Sequence, residues 1–205
     1  MFHRYLILAP VLFSALAHAA STTELSVTGL ITPSACQPGL SGGGQYDLGK
    51  IAASQLNVDQ PTRLPTHNLQ LQITCEALTL MALESRDNRL GSSADADQRA
   101  KFGLGLVNGT IKLGYMTLRL DSIVADGAQM HPIGSSGPST WAPTSILSPQ
   151  YLTAFNPIET VTVPAPLQRL NADLQITPTI APANTLPLTE EIPIDGSMTL
   201  TVKYL

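Results

Sequence analysis

Few residues in this chain have both the type and the spacing to do chemistry. Cys36 and Cys75 are its two cysteines. As thiolates they could hold zinc, but His67 and His131, the histidines beyond residue 19, stand at no ligand spacing from either. Asp87, Asp95 and Asp97 could gather a calcium ion through carboxylate oxygens. They lie in a polar stretch, 86–99, with Asn88, Gly91, Ser92 and Ser93, and read better as a solvated loop. Gly103, Gly105 and Gly109 have the look of a dinucleotide loop, yet the third glycine falls one residue late and no strand–helix–strand unit surrounds them. No Gly-x-Ser-x-Gly elbow, phosphate loop or His-Glu-x-x-His helix is present. Composition allows a Ser-His-Asp triad, but nothing local supports one. The expectation is a non-enzyme with no cofactor and no metal.

The start of the chain says where it works. His3 and Arg4, the apolar run 6–16 and the small residues Ala17 and Ala19 read as a secretory signal over residues 1–19, cleaved before Ala20. The apolar run is too short to span a membrane, which takes roughly 20 residues, and no later segment is long enough either. In an exported chain the two cysteines are expected to bond to each other. Closing a loop of this length would add about 4 kcal/mol in the chain-entropy picture. The formal charge is −4, and only 13% of residues are charged against 43% hydrophobic. Such a chain has material for a core, and no basic run for nucleic acid or an anionic membrane surface.

Sixteen prolines and fifteen glycines, scattered along the sequence, leave little room for long helices. Strand candidates are short and alternate apolar with polar residues: 25–31, 45–51, 68–75, 78–83, 111–120, 160–163, 172–180 and 198–204. The run 68–75 is the cleanest, with Leu69, Leu71, Ile73 and Cys75 on one face. Segments 54–63 and 95–101 could each hold a turn of helix. Residues 126–150, dense in Gly, Ser and Pro around Trp141, read as a long loop, extending the same expectation as 86–99. Seven or eight such strands point to an all-β, immunoglobulin-like Greek-key sandwich.

At the two ends the residues carry a resemblance. Leu25, Val27, Gly29 and Ile31 alternate ahead of Cys36; Cys75 follows at about forty residues; Met198, Leu200, Val202 and Tyr204 alternate at the chain end. This arrangement resembles the pilin subunits of chaperone–usher fimbriae, and is most similar to a pilin-like branch of Gram-negative exported proteins of unknown function. The resemblance implies an incomplete sandwich over residues 35–205, preceded by a donor-strand extension over 20–34. It implies as partners a periplasmic chaperone, an outer-membrane usher and neighbouring subunits, with export through the periplasm to a cell-surface fimbrium and a part in cell adhesion. Leu25, Val27, Gly29 and Ile31 would form the donor strand. Met198, Leu200, Val202 and Tyr204 would form the strand beside the groove that receives it, a mode of strand addition between proteins. One residue departs from the pattern. Pilins commonly carry a glycine about fourteen residues from the end, whereas Gly196 is nearer the end and could form a turn with Asp195.

A second class of function also fits an exported β-protein. Trp141 in the 126–150 segment could stack on a sugar ring, which would make the chain a lectin-like carbohydrate-binding module outside any fibre.

Overall fold

A computed structural model describes Ser26 and residues 35–97, 99–137 and 140–205. The signal 1–19 and the donor residues Leu25, Val27, Gly29 and Ile31 lie outside the described residues. Contacts divide the chain into residues 1–31 and 32–205, and the fold below is built within the second unit.

Eight strands carry it: β1 (Cys36–Leu40), β2 (His67–Thr79), β3 (Met81–Asp87), β4 (Gly114–Ala125), β5 (His131–Ser135), β6 (Leu152–Asn156), β7 (Leu167–Ile180) and β8 (Met198–Tyr204). One antiparallel sheet runs β1–β2–β7–β4, extended past β4 by the short strand Phe102–Gly103. The other runs β5–β6–β3–β8, with Ala142–Pro143 outside β5. The result is an all-β, immunoglobulin-like sandwich.

Alternation decides which face each strand turns inward. On β2, Leu69, Leu71, Ile73 and Cys75 are buried while the residues between them are exposed. On β4 and β7 the buried partners include Leu118, Leu120, Leu170 and Leu174. Sheet two answers with Met81, Leu83 and Phe155. Cys36 and Cys75 face each other across β1 and β2 and are joined by a disulfide.

Several expectations need correction. Residues 45–51 and 160–163 form no strand. Positive φ at Gly42, Gly43, Gly44 and Gly49 turns the first of these out of any sheet, and a turn at 158–161, closed by Val161 N–H on the Ile158 carbonyl, bends the second. The supposed loop 126–150 contains β5, whose Pro132 and Gly134 hide its alternation. Of the two short helices expected at 54–63 and 95–101, the described residues form only the single turn Ala53–Gln55.

Candidate functional site

On one side of the sandwich the sheets part around an apolar cleft of about 1080 Å³. Its floor is the inner face of sheet one: Leu69 from β2, Leu118 from β4, Leu174 and Ile176 from β7. The first wall is the stretch 44–56, which brings Tyr46, Leu48, Ile51 and Leu56. The second runs from Leu186 through Leu188 and Ile192 to Ile194 and stops short of Met198, where β8 begins.

Neither wall is part of a sheet, and the sequence explains why. The glycines at 42–44 and 49 bend the first wall. Pro187 and Pro193 remove backbone donors from the second, so it cannot sustain a ladder. β8 itself pairs with β3 along one edge, and among the described residues no strand pairs with its other edge. A site with apolar floor, unpaired walls and a free strand edge has the shape to take an extended chain.

The walls are held in place rather than loose. Tyr46 stacks on His67 at the start of β2, ring centroids 4.0 Å apart and nearly parallel. Arg89 forks onto Asp195, with Nε on Oδ2 at 2.9 Å and Nη2 on Oδ1 at 2.8 Å. That bond, and then the carboxylate's charge, raise the Arg89 pKa above its ordinary value. Asp195 N–H also donates to the Leu104 carbonyl at 3.1 Å. Gly196 forms no turn with Asp195; it lies flat against Leu104, whose Cδ2 would stand 2.7 Å from a Cβ there. Lys50 and Glu191 join the two walls at 2.7 Å. Both side chains are almost wholly exposed, so this pair contributes little and does not seal the mouth.

Of the terminal residues singled out by sequence, Met198 lines the cleft. Leu200 and Val202 are half-buried and pack onto the main core from β8. The Tyr204 hydroxyl accepts a hydrogen bond from Cys36 N–H at 3.0 Å. Trp141 lies far along sheet two, half-buried over Ala82, Ile133 and Ala154 on its outer face.

The aspartates of the 86–99 loop hold the chain itself. Asp87 accepts from Arg89 N–H at 2.8 Å and Gly103 N–H at 3.0 Å. Lys101 Nζ reaches Asp95 Oδ2 at 2.6 Å and lies 4.2 Å from the centre of the Tyr115 ring. The hydrogen bond from Lys101, then that from Asp97 N–H, hold the Asp95 carboxyl below its ordinary range. Among the described residues no three His, Cys, Asp or Glu side chains are placed to share a metal, and no helix is long and apolar enough to cross a membrane.

Sequence reasoning missed both walls. The signal available was a set of apolar residues (Leu48, Ile51, Leu186, Leu188, Ile192, Ile194) in segments whose glycines and prolines forbid strands.

Comparison with known proteins adds a family and two relatives. A family model described as "Protein of unknown function (DUF1120)" matches residues 25–117. The chain is 26% identical over 238 residues to Uncharacterized protein YhcF of Escherichia coli (strain K12), covering 98% of each. It is 28% identical over 234 residues to Protein GltF of the same organism, covering 94% of this chain and 92% of that one.

Proposed function

We propose that this chain is a non-enzymatic structural subunit of a chaperone–usher surface fibre. It is exported through the periplasm and completed there by a strand from another protein. The observation that carries the reading is the cleft: an apolar trough whose walls belong to no sheet, opening beside the edge strand β8. An exposed apolar trough beside free backbone groups invites aggregation unless something covers it. Residues 25–31 have the composition to cover such a trough. Leu25, Val27 and Ile31 would bury roughly 1.5–3 kcal/mol each, with backbone hydrogen bonds in addition. Gly29 lets the two backbones approach closely at one point. A periplasmic chaperone would lend the strand first, and the 20–34 segment of a neighbour would replace it at the usher. Because the chain carries a donor-like segment of its own, an interior or minor position suits it better than the tip.

Carbohydrate binding through Trp141 has less support. Its indole covers three buried residues of sheet two, a packing role that leaves only part of the ring for a ligand.

The test is deletion of residues 22–31. The shortened chain should be isolated bound to a chaperone and gain thermal stability from a synthetic peptide of those residues. The same peptide with Val27→Asp should fail, because it would bury an unpaired charge. A shortened chain that is fully stable alone, and indifferent to peptide, would contradict the proposal.

A further inference from the structure

Met81, Met116, Met130 and Met198 are the methionines beyond residue 19, and the fold treats one of them differently. Met81 is 1% exposed and Met130 6%, both sealed in the core. Met116 lines the cleft from β4 but is only 8% exposed. Gly196 packs against it, and a Cβ on that glycine would stand 3.6 Å from the Met116 sulfur. Met198 also lines the cleft, and it is half-buried. It opens β8, where its backbone is paired with Asp87 of β3. That pairing holds the residue in place, while its long unbranched side chain leans on the core with Leu200 and Val202.

Resting on the donor-strand reading, we infer that Met198 is an oxidation switch on the cleft: a peroxide converts it to the sulfoxide while the cleft is open, and the oxidised copy no longer accepts a strand. In that step the Met198 sulfur attacks one peroxide oxygen. An S–O bond forms, the O–O bond breaks, and the other oxygen leaves as water. Sulfur gives up two electrons and the peroxide takes them. Met198 is the methionine whose sulfur a small oxidant can reach without opening the core.

The product suits the site badly. A thioether is apolar and pliable, whereas a sulfoxide is polar and carries an acceptor oxygen. Leu69, Leu118, Ile176 and Ile194 of the cleft have no side-chain donor to offer it. In the open cleft that oxygen is hydrated, but a strand laid over it would strip the water and leave it unpaired. The residue cannot be carried clear, because β3 pins its backbone. A strand already seated has the opposite effect, covering the sulfur and keeping peroxide off. Oxidation therefore falls on copies that have found no partner, and reduction by a thiol-dependent sulfoxide reductase returns them to the pool.

The full exported chain carrying Val27→Asp tests this, since it cannot donate its own segment and keeps the cleft accessible. The probe is a fluorescent peptide of residues 22–31, which contains no methionine. Mild hydrogen peroxide should add one oxygen per chain, and peptide mapping by mass spectrometry should place it on Met198. Affinity for the peptide should then fall by about tenfold or more, and methionine sulfoxide reductase should restore it. Peptide bound beforehand should protect Met198. With Met198→Leu added, the chain should bind the peptide and lose nothing on peroxide treatment. A first oxygen on Met81, Met116 or Met130 would overturn the inference. So would an oxidised chain that binds as before, or a Met198→Leu chain that loses affinity with peroxide. In each of those cases the untreated chain still binds peptide, and the donor-strand reading stands. If the untreated chain ignores the peptide, that reading falls, and the switch with it.

Discussion

Arg89 holds Asp195 with three hydrogen bonds, two to the carboxylate and one from Nε to the backbone carbonyl at 3.1 Å. The consequence is positional: one residue from the β3 turn fixes the end of the second wall that leads into β8. Both side chains are open to solvent, which screens the pair, so its contribution to overall stability should be small.

Arg89→Lys therefore should change the melting temperature by only a few degrees. It should weaken binding of the 22–31 peptide several-fold, because an ammonium cannot reproduce the planar fork. Fluorescence titration beside thermal melting separates the two effects. A variant that loses stability but binds peptide as before would remove the wall-positioning role.

Gly196→Ala should push Leu104 away from the wall and into the cleft, given the 2.7 Å approach. The expected cost is about 1–2 kcal/mol of stability, in the range of modest overpacking, with weaker peptide binding. Combining it with Leu104→Val should recover part of the binding, which titration of the double variant would read.

Cys75→Ser should cost 2–5 kcal/mol, the usual range for a native disulfide in an exported domain, and lower the exported yield sharply. Intact mass of the native protein should show no free thiol. Two free thiols in the exported protein would contradict the bond between β1 and β2.

Lys101→Met should reduce stability by on the order of 1 kcal/mol near neutral pH. Asp95 has its pKa lowered from 3.8 in the fold. The pair's stabilisation is therefore present above that value and disappears as the pH falls through the lower, folded one. Denaturation of both proteins across acid pH should show their difference shrinking as the pH drops below 3.8. A difference independent of pH would assign the effect to packing on Tyr115 instead.

Strands that bury one face were legible in the sequence because period two leaves a visible mark. Residues 68–75 lie within β2 and 172–180 within β7, while 198–204 has the bounds of β8 itself. β5 was not legible, since Pro132 and Gly134 look like turn residues although Pro132 pairs with Phe155, and Gly134 with both Ala142 and Thr153. β1 escaped for a similar reason, with Pro38 and Gly39 in its middle. The cleft was the hardest part to foresee. Its second wall is apolar yet broken by Pro187 and Pro193, so periodicity has nothing to report. Only the third dimension brings it opposite 44–56. The alternation of β8 marked a strand that ends its sheet, and of its four marked residues Met198 lines the cleft, while Tyr204 reaches toward Cys36.

Hydrogen exchange tests the central claim most directly, read along residues 186–204 of the chain lacking 22–31, before and after adding the 22–31 peptide. The account predicts that alternate amides on the free edge of β8 exchange fast without peptide and slow markedly with it. Amides of β8 already paired with β3 should change little. The Val27→Asp peptide should leave every rate where it was. Free-edge amides that are protected before any peptide is added, or that stay fast in its presence, would contradict the account.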